Sequence, residues 1–219
     1  MKEALKKFVN TGVIPLGDVD GACKSQHKTI VVVGVARGGT SMIAGVLFHM
    51  GVFMGKKACP PVFEDVHLAN AIETGDIQEI RNIISEYNDR NHIWGFKRPS
   101  IIDHLDIMHH EFLNPIYIFV FKDMAAIANR NVLSMGFEFT DMLNRAHKDY
   151  GKIIDFISNQ ENLNGYVVSY EKAMVYKEQF VMQLKNIVGN SGGKVGLNEA
   201  VSFINREPAL YLDKSRIID

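Results

Sequence analysis

The stretch Thr29–Leu47, T-I-V-V-V-G-V-A-R-G-G-T-S-M-I-A-G-V-L, constrains the fold of this chain more than any other. Ile30–Val33 form an unbroken β-branched run with no polar alternation, the pattern of a strand covered on both faces. Glycines follow at 34, 38 and 39, and beyond them Met42, Ile43, Val46 and Leu47 recur at helical spacing. Strand, glycine turn and helix in direct succession make an anion site. Small residues let the backbone wrap a phosphate, the first helical N–H groups point at it, and the helix dipole favours its charge. The competing reading is a glycine turn that only lets the helix pack closely on the strand.

The rest of the chain alternates in the same way. Short apolar runs at 29–34, 92–96 (H-I-W-G-F), 116–121 (I-Y-I-F-V-F) and 165–168 (G-Y-V-V) read as strands. Between and after them lie amphipathic helices. One starts at 76 with Ile77, Ile80, Ile83, Ile84 and Tyr87 on one face. A second, near 140–158, aligns Leu143, Ala146, Tyr150, Ile153, Ile154 and Ile157, and a third carries Phe180, Val181, Leu184, Ile187 and Val188. The expected fold is α/β, a three-layer parallel sheet with helices on both faces. At 219 residues and 47% hydrophobic, the chain suits a single domain spanning 1–219, with 1–28 as an N-terminal helix and lead-in. Gly189–Gly196, rich in Gly, Asn and Ser, reads as a loop.

A net charge of −1 gives no support for general nucleic-acid or membrane-surface binding. Cys23 and Cys59 lack C-x-x-C spacing, which points to neither a zinc site nor a disulfide framework. M-K-E-A-L-K-K-F has no long apolar core of a signal peptide, and no run approaches the roughly 18 apolar residues of a membrane span. A cytoplasmic protein is expected, with no metal, no nucleic-acid partner and no membrane partner; oligomeric state is open.

Gly34-x4-Gly39 has Walker A spacing, but Thr40 and Ser41 follow where a P-loop NTPase needs lysine to reach the β- and γ-phosphates. The nearest cation, Arg37, lies inside the loop. G-V-A-R-G-G-T-S resembles instead the phosphosulfate-binding loop of sulfotransferases that use 3′-phosphoadenosine 5′-phosphosulfate (PAPS). The resemblance implies a P-loop NTPase-like sulfotransferase fold, with Arg37, Gly38, Gly39, Thr40 and Ser41 holding the 5′-phosphosulfate.

Weaker likenesses follow in family order, from about residue 29 to 210. After the run 116–121 come Lys122 and Asp123, similar to the strand end that holds the 3′-phosphate of PAPS. The partner position eight residues on is Arg130, with Ser134 one helical turn further. Lys stands here for the family's Arg and Arg for its Ser, which keeps the charge but loses the bidentate fork at the first position. Trp94-Gly95-Phe96-Lys97-Arg98-Pro99 resembles the W-G-W-K-D-P segment of bacterial and carbohydrate sulfotransferases, whose lysine neutralises charge on the leaving phosphate oxygen. Lys97 carries that role over; Arg98 stands where the family often has an acidic or small residue. P-P-V-F-E-D-V-H resembles the segment that supplies a carboxylate for the acceptor proton, with Glu64 first and Asp65 and His67 behind it. A helix start with acidic residues near its positive end competes for Asp65. Y-V-V-S-Y-E-K resembles a structural strand element, and Arg206, Lys214 and Arg216 near the C-terminus are surface charges or cover for the nucleotide. His109 and His110 are neighbours that point about 100° apart on a helix, one exposed and one partly packed rather than a metal pair.

The resemblance implies sulfuryl transfer from PAPS to a hydroxyl or amine of a small-molecule or carbohydrate acceptor, leaving 3′,5′-adenosine bisphosphate. A P-loop small-metabolite kinase with a relocated cation and a catalytically inactive nucleotide-binding protein are the alternatives.

Overall fold

The computed structural model describes residues 12–189 and 196–214. Among them, β1 (Val13–Leu16), β2 (Lys28–Val33), β3 (Ile93–Lys97), β4 (Pro115–Phe121) and β5 (Gly165–Ser169) form one sheet in the order β1-β5-β4-β2-β3. β2 pairs parallel with β3 and β4, and β4 pairs parallel with β5. β1 closes the far edge antiparallel to β5. The lead-in expected over 1–28 thus contains a strand that no periodicity marks, and residues 1–11 of it lie outside the described residues. β1 is only four residues long, its middle is exposed, and it contains Pro15, which an edge strand tolerates because one side of it makes no ladder.

The helices in chain order are α1 (Val19–Lys24), α2 (Thr40–His49), α3 (Val66–Thr74), α4 (Ile77–Arg90) and α5 (Leu105–Glu111). They continue as α6 (Met124–Met135), α7 (Phe139–Asn159), α8 (Tyr170–Val175), α9 (Lys177–Val188) and α10 (Leu197–Lys214). A 3-10 turn at Pro99–His104 follows β3. The expected loop at Gly189–Gly196 lies mostly outside the described residues.

All six residues of β2 are buried, and the two-residue period of the strand divides them between two cores. Ile30 and Val32 join α2, α9 and α10 on one face; Val31 and Val33 join α3, α4, α5 and α7 on the other. Both faces of the sheet are therefore covered, which is why β2 carries no polar alternation. α4 buries Ile80, Ile83, Ile84 and Tyr87, as its period predicts. On α7 the buried row is Ala146, Tyr150, Ile153 and Phe156; Ile154, expected on that face, lies one step round from Ile153 and is half exposed. No described helix is long and apolar enough to cross a membrane.

This strand order positions a site. The chain leaves interior strand β2 for β3 on one side and later returns to β4 on the other, so the connections diverge at the carboxyl end of β2. Open parallel sheets hold their ligands in the crevice at such a point.

Candidate functional site

The glycine loop lies at this crevice. Arg37 has φ +66° and Gly39 φ +90°, the left-handed region that L side chains rarely adopt. Gly39 caps α2 with no side chain, and a Cβ there would run into the Tyr170 ring. A Cβ on Gly34 would lie 2.7 Å from Thr40 Cγ2. Both glycines are required by the path of the loop. α2 is buried from Thr40 to Leu47, which fixes its N-terminus against the end of the sheet.

A cavity of about 620 Å³ opens here. Its wall includes Arg37, Gly39, Thr40, Ser41, Glu64, Lys97, Lys122 and Arg130, residues that the sequence scatters over more than ninety positions. Gly38 is not in that wall; its N–H closes the turn on the Val35 carbonyl at 2.9 Å. The outer wall is apolar, with Val62, Leu133, Met135, Phe137 and Met142, and Leu133 is 73% exposed.

Lys97 ends β3 with its side chain only 2% exposed. Its Nζ donates to Glu64 Oε1 at 2.5 Å, and Arg98 Nη1 donates to Glu64 Oε2 at 2.6 Å. Arg98 Nε also donates to Glu73 at 2.9 Å, and the Ser100 hydroxyl donates to the same Glu73 oxygen at 2.5 Å. These bonds, Ser100 first and Arg98 next, hold the Glu73 carboxyl below the usual range; Glu73 in turn holds the Arg98 guanidinium above its own. Phe63, immediately before Glu64, has φ +56°. Left-handed backbone at two non-glycine residues, Arg37 in the cavity wall and Phe63 next to wall residue Glu64, is strain held in place by the surrounding packing.

Asp65 and His67 do not join Glu64. Asp65 is fully buried, caps α3 by accepting from the His67 N–H at 3.1 Å, and accepts a short hydrogen bond from the Tyr87 hydroxyl. Burial, and then this contact with Asp65, raises the Tyr87 hydroxyl above its ordinary range. The helix-start reading of Asp65 is therefore the one its geometry satisfies. His67 Nε2 lies 3.1 Å from Glu79 Oε1 on the exposed side of α3 and α4. Of the three, Glu64 alone lines the cavity.

At the end of β4, Tyr150 of α7 grips the Lys122 backbone twice. Its hydroxyl accepts from the Lys122 N–H at 2.8 Å and donates to the Lys122 carbonyl at 3.0 Å. Burial pushes the Tyr150 hydroxyl up to about 12, so it stays protonated and able to donate. Lys122 Nζ stands 4.5 Å over the centre of the Tyr170 ring, a cation–π contact. Asp123 caps α6 through the Ala126 N–H at 2.6 Å, and its own N–H donates to Glu171 at 2.9 Å. That helix brings Arg130 to the cavity. Ser134 is buried, lies outside the wall, and its hydroxyl has no hydrogen-bond partner among the described residues.

Sequence reasoning missed Arg145 and Asp149 of α7 as wall residues and passed over Tyr170 as structural. Tyr170 had one usable signal, its place just after a strand. Burial raises the Asp149 carboxyl, against the opposing pull of Lys152 and Arg145. His109 is half buried with a ring nitrogen 3.0 Å from the Tyr117 hydroxyl, while His110 is exposed. Burial, then the neighbouring His110, lowers the His109 pKa. No group of three or more metal-ligating side chains is gathered among the described residues. Arg206 and Lys214 fall on the part of α10 whose side chains are outside the described residues, as is Arg216 altogether.

No family model and no curated protein matches the chain.

Proposed function

We propose that the protein is a PAPS-dependent sulfotransferase with a P-loop-type fold. The reading is carried by one observation: a single cavity at the carboxyl ends of β2, β3 and β4 is lined by a glycine loop, a helix N-terminus and five cationic side chains, Arg37, Lys97, Lys122, Arg130 and Arg145. That set suits a ligand with two separate anionic groups. The 5′-phosphosulfate lies along Arg37, the loop amides, Thr40 and Ser41, and the 3′-phosphate between Lys122 and Arg130. Thr40 in the place of the Walker lysine argues against a nucleoside triphosphate.

In the transfer step Glu64 takes the proton of the acceptor hydroxyl or amine. The acceptor atom forms a bond to sulfur as the bond from sulfur to the 5′-phosphate oxygen breaks. That oxygen keeps the electron pair, and Lys97 neutralises the charge it gains, a preorganised contact that strengthens in the transition state. Each Glu64 oxygen has two lone pairs, so one bond to Lys97 and one to Arg98 still leave acceptor capacity for the proton. The acceptor is a small molecule or carbohydrate. The product nucleotide is 3′,5′-adenosine bisphosphate.

The test is sulfuryl transfer by two variants. Glu64→Gln keeps the shape but not the base, and is expected to lower kcat about 10²-fold or more with little change in nucleotide affinity. Lys97→Ala is expected to lower kcat by a similar factor and to weaken nucleotide binding as well. Wild-type turnover in Glu64→Gln would remove Glu64 from the mechanism.

A further inference from the structure

The basic residue after Lys97 departs from the resembled segment, and the geometry gives it a task. Arg98 reaches Glu64 with Nη1 at 2.6 Å and Glu73 with Nε at 2.9 Å, so its planar fork spans two carboxylates. Glu64 lies in the loop before α3, whereas Glu73 is in the last turn of the same helix. Ser100 fixes the outer carboxylate from the 3-10 turn, donating to the Glu73 oxygen that Arg98 uses. The result is a chain of contacts, Lys97–Glu64–Arg98–Glu73–Ser100, running from the buried cavity floor to the surface. Only 12% of the Glu64 side chain is exposed at its inner end, against 33% of Glu73 at its outer end.

A glutamate carboxylate rotates freely about its last bond unless both oxygens are held. Lys97 holds one from inside. With that contact alone, the ammonium is a point charge that either oxygen can satisfy, and the carboxylate can pivot around it. Arg98 is the second point that stops the pivot.

We propose that Arg98 is a positioning residue that acts through Glu64. It fixes the outer oxygen so that the inner one stays on the cavity floor, beside Lys97, where an acceptor proton arrives. The assignment of catalysis to Glu64 is the proposed function above, and the positioning rests on it. Arg98 itself is not among the residues that line the cavity, so its action is through Glu64.

The experiment is a double-mutant cycle on turnover, paired with a structural readout. Transfer from PAPS is measured with N-acetylglucosamine and with 4-nitrophenol as acceptors, for wild type, Arg98→Ala, Arg98→Lys, Glu64→Gln and the Glu64→Gln/Arg98→Ala pair. Arg98→Ala is expected to lower kcat roughly 10- to 100-fold with KM for PAPS unchanged, since a displaced group costs turnover more than binding. Arg98→Lys, charged but without the fork, should fall between. In the Glu64→Gln background the same Arg98→Ala change should cost less than about threefold, because its effect passes through a base already removed. An equal loss in both backgrounds, or a raised KM for PAPS at unchanged kcat, would overturn the proposal.

The structural readout is independent of the reaction. A crystal structure of Arg98→Ala, or of Arg98→Lys and Glu73→Gln if the alanine variant does not fold, should show the Glu64 carboxylate turned from its wild-type orientation. An unmoved Glu64 would overturn the positioning role whatever the cavity catalyses. Absence of sulfuryl transfer by wild type to either acceptor would count against the reaction instead, leaving the Glu64 orientation to decide Arg98.

Discussion

Gly39 meets two demands that no other residue type meets together. Its φ of +90° is strained for any L side chain, and the space where a Cβ would stand is filled by Tyr170. The same ring supports the Lys122 ammonium, so the loop and the end of β4 meet through one aromatic face. Gly39→Ala is expected to destabilise the fold by about 1–3 kcal/mol, the cost of a residue forced into a sparsely populated conformation. A urea unfolding curve checks this, and wild-type stability in the variant would contradict it. Asp149 carries the opposite expectation. Its carboxyl is held above the ordinary range by burial, so the stability it contributes is present below the unfolded pKa and lost as pH rises through the folded one. Asp149→Asn should therefore raise the melting temperature at pH 7, and that advantage should vanish in acid, where the wild-type carboxyl is neutral in both states. A lower melting temperature at pH 7 would contradict the account. Neither Asp149 nor Arg98 was legible as part of this site. Their roles depend on which helix faces the cavity and on pairings between positions 64, 73 and 98, which no local spacing records.

At the scale of elements, the sequence carried more. The run Ile30–Val33 and the glycines after it specified a strand, a turn and a helix, because β-branching, positive φ and helical periodicity are all local properties. β1 escaped because four residues around a proline carry no period, and Ile154 was misplaced because it stands about 100° round the helix from buried Ile153, past the edge of the buried row. The connection of α6 to β4 carries a sharper prediction. Lys122 is held by Tyr150 through its backbone and by Tyr170 through its charge, while Arg130 comes from the second turn of α6. PAPS and adenosine 5′-phosphosulfate differ only in the 3′-phosphate. One charge-assisted contact is worth about 1.5–3 kcal/mol, roughly ten- to hundredfold in affinity. Arg130→Ala should erase most of the preference for the 3′-phosphorylated ligand and spare the other. Arg37→Ala should weaken both together. Calorimetric titration of the two ligands into each variant checks this; a preference that survives Arg130→Ala would move the 3′-phosphate elsewhere in the cavity.

The whole molecule explains why residues so distant in sequence share one cavity. The order β1-β5-β4-β2-β3 puts the ends of β2, β3 and β4 side by side, and each contributes what immediately follows it. That order is not written in hydrophobic periodicity, which identifies strands without saying which ones pair. The rule that parallel strands carry ligands at their carboxyl ends needs no knowledge of the order, and the positions it points to meet at one cavity. On the proposed function this crevice binds a 3′-phosphorylated adenosine carrying a 5′-phosphosulfate. Ligand choice is read from the melting temperature of the wild-type protein with 3′,5′-adenosine bisphosphate in the absence of magnesium, against the same protein with ATP and magnesium. A ligand that binds only the native state raises the melting temperature by mass action, by an amount that grows with its concentration over its Kd. A sulfotransferase crevice gives a concentration-dependent rise with the bisphosphate and a much smaller one with ATP and magnesium. A larger rise with ATP and magnesium would sink the sulfotransferase reading and make the crevice that of a kinase.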